Sequence, residues 1–349
     1  VLRVAAALPA LLALAAPEAV RAEAALSLWA EAGSGADGNP GRIPGAAPVA
    51  HGFASLLGRA RLRLDADSTA ATITVTEAGR LYPGIPGADA LASRLEAAGR
   101  AELGAGLVAG LSGLATDWTE RDGLLDRHTL RGEGSVGLRR GPLLLTLAGA
   151  WALFAPRERS LRPFRASGPE GWLRATWTPV DEHQVTAALG VSQAGFPGWA
   201  ALGAPGATTR NDQARHLAAE WSWSGAALAG LGWQYTQNGS SAPGGDFTRH
   251  RLTASSALWL PLDLTLAARL ALQWTSYPDP LLLAEQQRLA EGQESLDAVE
   301  GRLTRQLTGP LEVSLSVAWY HAQGGAGVPG YQRTVATLSL GWRARPEPR

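Results

Sequence analysis

Cysteine, methionine and lysine are absent from the 349 residues. Without cysteine there is no disulfide scaffold, no thiolate metal site, no cysteine nucleophile and no lipid-bearing N-terminal cysteine. Without lysine every basic side chain is arginine, a bias that carries no mechanism of its own. Charge of any kind is sparse: charged residues make up 18% of the chain, against about 25% in ordinary soluble domains. The 31 basic and 31 acidic residues cancel, and a neutral chain lacks the basic face of a nucleic-acid binder. Phenylalanine numbers only 5, little for the core of a large soluble sandwich. The part after residue 22 has no long apolar run. Its best stretch, Gly141 to Pro156, is uncharged but too short to span a bilayer as a helix, with proline near each end and Gly149 inside.

What is present is apolar and glycine-rich. Hydrophobic residues reach 46%, too much to leave solvated in a disordered chain. Glycine numbers 42 and tryptophan 13. The N-terminus reads as an address: Arg3 precedes an apolar run from Val4 to Ala16, and Val20-Arg21-Ala22 fits a small-residue cleavage site. Residues 1–22 are therefore expected to be a secretory signal peptide, with cleavage after Ala22. A membrane anchor is the rival, but the run is shorter than the roughly 18–20 residues a spanning helix needs.

From residue 23 onward the pattern has period two, as in strands with one apolar face. Leu262, Leu264, Leu266, Ala268, Leu270, Leu272 and Trp274 alternate with Asp263, Thr265, Ala267, Arg269, Ala271 and Gln273. Leu311, Val313, Leu315, Val317 and Trp319 alternate with Glu312, Ser314, Ser316, Ala318 and Tyr320. The same alternation predicts strands at 24–33, 54–65, 69–81, 92–103, 106–118, 126–140, 143–154, 167–178, 182–193, 212–223, 226–237, 247–260, 262–275, 294–307, 310–321 and 331–343. Segment 88–98 is also compatible with a short helix; if it is one and a terminal segment is not a strand, the count falls to fourteen. Short turns alternate with long loops near 34–53, 82–91, 194–211, 238–246, 276–293 and 322–330, an up-and-down meander.

In lipid, every backbone N–H and C=O must be paired within the protein, so a spanning sheet has to close on itself. The expected fold class is all-β: a transmembrane antiparallel up-and-down β-barrel of about sixteen strands, with fourteen to eighteen allowed. It occupies residues 23–343, with a short tail over 344–349. Tryptophans 29, 118, 151, 177, 221, 223, 233, 259, 274, 319 and 342 fall mostly near predicted strand ends, where indoles suit the headgroup level. Core packing in a soluble β-sandwich is the rival account of both the strands and the indoles.

With these residues the chain resembles Gram-negative outer-membrane β-barrels. The last strand, Tyr331 to Trp342, is similar to that family's C-terminal assembly signal, in which alternating apolar residues end in an aromatic. The resemblance implies that the barrel-insertion machinery reads Leu338, Leu340 and Trp342. Residues Arg343 to Arg349 depart from the pattern, since many members stop at the aromatic. The first strand and Gly35-Ala36-Asp37-Gly38-Asn39 are also similar to the barrels of polysaccharide-export porins, which implies periplasmic export components as partners. The implied location is the outer membrane, in contact with its lipid.

The polar parity of the strands supplies the candidate lumen: Arg59, Arg61, Arg63, Arg80, Arg100, Arg131, Arg249, Arg251, Arg269 and Arg302, with Glu133 and Glu300 against them. Arg94, Arg139, Arg174 and Arg333 share that parity, as do Glu31, Asp65, Glu96, Glu102, Glu220, Asp263 and Glu312. Arginine rings favour anions because their field lowers the entry cost of negative solutes. Mutual pairing of Arg and Glu on neighbouring strands is the plainer alternative. The loop segment 280–292, with Leu281, Leu282, Glu285 and Arg288, begins in proline and ends in glycine, as a three-turn helix does. It either narrows the mouth or packs on the rim.

No catalytic constellation is visible. His51, His128, His183, His216, His250 and His321 lack metal-ligand spacing, and no serine sits in a nucleophile elbow. Gly104-Ala105-Gly106 misses the dinucleotide fingerprint and falls at a predicted turn. The expected function is a passive or export channel for hydrophilic solutes, anions or polysaccharide among them, with no enzyme activity, cofactor, metal or nucleic acid. A non-conducting scaffold that binds through its long loops is the alternative.

Overall fold

Alternating strands need partners on both edges, and the computed structural model shows where those partners lie. It describes residues 23–40, 49–85, 87–120, 126–157, 159–198, 209–242, 245–278, 296–322 and 330–344. The signal peptide expected at 1–22, the expected constriction residues Leu281, Leu282, Glu285 and Arg288, and all of the tail except Ala344 lie outside them.

Sixteen strands run in chain order among the described residues. The first eight are β1 (Glu23–Asp37), β2 (His51–Asp65), β3 (Thr69–Leu81), β4 (Ala90–Gly104), β5 (Leu107–Glu120), β6 (Arg127–Arg140), β7 (Leu143–Pro156) and β8 (Ala166–Val180). The others are β9 (His183–Phe196), β10 (Arg210–Ser224), β11 (Ala227–Ser240), β12 (Phe247–Leu260), β13 (Leu264–Ser276), β14 (Leu296–Gln306), β15 (Leu311–Ala322) and β16 (Tyr331–Ala344). Each pairs antiparallel with its sequence neighbours, and β1 pairs with β16 from Leu28↔Ala344 to Asp37↔Val335. The sheet is a closed barrel with no free edge, the condition a lipid-embedded sheet must meet.

Segment 88–98 is strand, not helix. Leu91, Ser93, Leu95 and Ala97 share one face of β4, while Arg94, Glu96 and Arg100 share the other. Pairing on both sides overrides the helical preference of its alanine, leucine and glutamate. Several strands also run further toward the long-loop end than hydropathy predicts: β1 continues to Asp37 and β10 begins at Arg210. There both faces are polar, so alternation fades while the hydrogen-bond ladder continues. The β12–β13 turn takes two residues out of the predicted strand, because Leu262 and Asp263 both have positive φ, 66° and 56°. That is the conformation a tight hairpin of this twist demands.

One parity faces outward. Leu56, Val136, Leu147, Leu189, Val191 and Leu338 are exposed on it, an apolar band suited to lipid chains. The other faces inward, as one contact proves. Arg302 on β14 reaches Glu31 on β1 at 2.5 Å, although β15 and β16 separate those strands. Strands spaced about 4.8 Å apart put three steps near 14 Å along the wall, so the side chains meet through the interior. Polar exceptions on the outer wall sit close to the long-loop ends: Ser93 donates to Glu77 at 2.5 Å, and Arg157 holds Asp117 and His128.

Candidate functional site: the charged inner wall

The inner wall is built by strand parity, and β2 shows its logic most plainly. Arg59, Arg61 and Arg63 alternate with the outward Ala60, Leu62 and Leu64 and stand opposite Thr76, Thr74 and Thr72 of β3. Arg63 is neutralised by Asp65 at 2.6 Å. Among the described residues Arg59 donates only to the Thr76 hydroxyl, at 3.5 Å. Among the described residues neither Arg59 nor Arg61 has a carboxylate within ion-pair distance. Arg80, higher on β3, lies 5.2 Å over the Phe53 ring.

Elsewhere the wall neutralises itself. Arg94 pairs with Glu96 at 2.5 Å and Arg100 with Glu102 at 2.8 Å, each two residues along β4. A tighter network bridges β6 and β8 over the small side chains of β7. Glu133 takes hydrogen bonds from Arg131 at 2.6 Å and from Arg174 at 2.5 and 2.8 Å, while Arg131 also donates to Glu170 at 3.0 Å. Beside it Trp172 lies flat on Gly190, where a Cβ would fall 2.5 Å from the indole. The same indole stacks on His216 at 5.2 Å and donates to Glu170 at 3.2 Å.

Across the lumen, Arg249 donates to Thr275 at 3.1 Å and covers Phe247. Arg251 faces Gln234 and Gln273, and Arg269 stands opposite Glu300 in register. Glu300 instead accepts a hydrogen bond from Tyr320 at 3.1 Å. Among the described residues Arg251 and Arg269 make no ion pair. All twelve arginines and glutamates proposed from the sequence thus share the inward parity, but they form no single ring. Some are locked in pairs, and Arg59, Arg61, Arg251 and Arg269 keep their full charge toward the lumen.

The short-turn end of the lumen holds a cavity of about 670 Å³ lined by Trp29, Arg59, Arg61, Trp259, Arg302 and Glu312, with Asp263 at its edge. Trp29 donates to Glu312 at 3.0 Å and lies 5.7 Å from the Arg302 guanidinium. Trp259 is 57% exposed inside this mouth. These two indoles and Trp118 face inward, although their closeness to strand ends points to membrane anchoring; Trp172 faces inward as well. Parity carried the signal: Trp29 shares the polar face with Glu31 and Ser27, and Trp259 with Ala257 and Ser255. Trp233, Trp274 and Trp319 do face outward, each near a histidine ring.

No protein-family description matches the chain, and no curated protein matches it. Solved structures do match its fold. OccK2 (OpdF) of Pseudomonas aeruginosa, solved in complex with glucuronate, is 14% identical, with a TM-score of 0.45 over 93% of this chain and 98% of that one. OpdQ of Pseudomonas aeruginosa is 9% identical, with a TM-score of 0.44 over 93% of this chain and 98% of that one. A bacterial polysaccharide outer membrane secretin is 9% identical, with a TM-score of 0.41 over 91% of this chain and 98% of that one. At these identities the likeness concerns fold alone. A closed sheet of sixteen strands, apolar outside and charged within, makes this chain a transmembrane antiparallel β-barrel.

Proposed function

We propose that the barrel is a passive channel for hydrophilic solutes that favours anions. The observation that carries this reading is the Arg59–Arg61 pair, two guanidiniums on one inward face without carboxylate partners among the described residues, at the short-turn mouth. A fixed positive field in a low-dielectric wall lowers the entry cost of a negative solute and raises that of a positive one. Trp29 and Trp259 beside these arginines extend the reading to acidic saccharides, whose sugar face stacks on an indole while the carboxylate meets a guanidinium. Export of an acidic polysaccharide is the form of this function in which such a mouth would receive its solute from the periplasm.

The test is reconstitution of the full barrel in a planar bilayer and measurement of the reversal potential across a salt gradient. Wild type is expected to conduct with anion preference, and the Arg59→Ala, Arg61→Ala double variant to move toward neutrality. A cation-preferring wild type contradicts the reading. A folded, electrically silent barrel supports the scaffold alternative instead.

A further inference from the structure

The outer wall carries a second polar site, on the opposite side of the sheet from the lumen. On that wall Leu189, Leu217, Tyr235, His250 and Trp274 form one row across β9 to β13, each opposite the next in register. The His250 ring lies 5.0 Å from Tyr235 and 5.7 Å from Trp274. Outward aromatic rings of this kind sit at the boundary between hydrocarbon and headgroups. The next outward row toward the long loops reads Val191, Arg215, Gln237 and Thr248, and the row beyond it Gln193, Gln213 and Gly239. Apolar residues therefore give way within two rows to three amides and a guanidinium.

These side chains surround a concavity of about 1080 Å³ with Arg215 at its lower edge and Asp246 at its upper one. Asp246 is engaged by the Ser240 backbone N–H at 2.6 Å. Arg215 and Gln213 are exposed, and Arg215 has no ion-pair partner among the described residues. Porin-like barrels place long loops on the extracellular side and short turns in the periplasm, so this concavity opens at the level of the outer-leaflet headgroups.

We infer that the concavity binds the phosphorylated sugar headgroup of an outer-leaflet glycolipid. The guanidinium of Arg215 offers the forked donor geometry that fits a phosphate. The amides of Gln193, Gln213 and Gln237 each present a donor and an acceptor, as sugar hydroxyls require. Directly below, the outward Leu189 and Leu217 receive acyl chains, which separates a lipid from a free anion: the headgroup is delivered and held by its own tail. The inference rests on the membrane barrel and not on conduction, so it stands or falls independently of the proposed function.

The experiment uses the full barrel in detergent, its fold checked by resistance to unfolding on a gel, and native mass spectrometry of bound lipid. Bisphosphorylated lipid A, its dephosphorylated form and phosphatidylglycerol are the lipid probes, with inorganic phosphate as competitor. Wild type is expected to retain one bisphosphorylated molecule. Arg215→Ala and Arg215→Gln should each weaken retention roughly tenfold, the loss of one charge-assisted pair. A Gln213→Ala, Gln237→Ala variant should weaken it less. Absence of retention by wild type overturns the inference, as does retention by both Arg215 variants at the wild-type level. Equal binding of the dephosphorylated lipid removes the role of phosphate, equal binding of phosphatidylglycerol removes that of the sugar, and displacement by millimolar phosphate marks a free-anion site; each of these overturns it too.

Discussion

Asp37 and Arg333 meet at the seam where the barrel closes. Asp37 ends β1, fully buried, and takes three hydrogen bonds from Arg333 of β16: two from Nε at 3.0 Å and one from Nη2 at 2.5 Å. Tyr82, just beyond β3, donates its hydroxyl to the same carboxylate at 2.7 Å. The first and last strands are thus fastened by charge where their ladder ends. Replacing Asp37 by alanine leaves a buried guanidinium without its counter-ion, a loss of about 3–5 kcal/mol for a broken buried pair. Urea-induced unfolding in lipid vesicles should show that loss for Asp37→Ala. Asp37→Ala with Arg333→Met should recover part of it, and a fully additive double variant would deny the coupling.

The same seam has an alkaline limit. Burial, and then the hydrogen bond to Asp37, push the Tyr82 phenol above its ordinary value near 10. The folded barrel therefore holds this proton more tightly than the unfolded chain. The resulting stability is complete below pH 10 and is lost as pH rises through the raised value. Tyr82→Phe should flatten the stability profile above pH 10 and leave it unchanged in slope near neutrality. An identical alkaline slope in both proteins would assign the sensitivity elsewhere.

Glu133 holds two arginines at once, so its removal acts on both stability and selectivity. Glu133→Gln keeps the shape but leaves Arg174 without a carboxylate partner among the described residues, while Arg131 keeps Glu170. Loss of charge-assisted hydrogen bonds should cost about 2 kcal/mol. The reversal potential should shift further toward anion preference. An unchanged reversal potential would mean that the released Arg174 guanidinium does not face the permeation path.

Leu262 occupies a left-handed backbone position, φ 66°, and the residue is 74% exposed. The side chain contributes little packing there, while the conformation costs about 1–2 kcal/mol for a residue with a Cβ. Leu262→Asn should raise the unfolding midpoint by about 1 kcal/mol in equivalent stability, since asparagine tolerates this region better. Equal or lower stability would show that Leu262 makes a contact that its exposure conceals.

Much of the barrel was legible because lipid writes a simple code. Leu264 to Trp274 alternate since one face meets hydrocarbon and the other water, and that alternation needs no knowledge of neighbours. The inward arginines were legible for the same reason. Their pairing was not. Arg302 and Glu31 lie 271 residues apart, and only curvature brings them together. Nor could alternation separate the paired Arg63 from the unpaired Arg61, because whether a carboxylate reaches a guanidinium depends on rotamer and register. The indoles misled for a related reason: closeness to a strand end describes Trp259 and Trp274 equally well, and parity alone separates lumen from lipid.

The amino-acid order by itself determined the strands, their two faces and the need for closure, since each follows from local alternation and from the cost of an unpaired backbone in lipid. The tertiary structure decided which charges neutralise one another, which stand open at the mouth, and where amides replace leucines on the outer wall. Those outcomes depend on distances between strands far apart in the chain, and such distances exist only once the sheet has curved and met its own beginning.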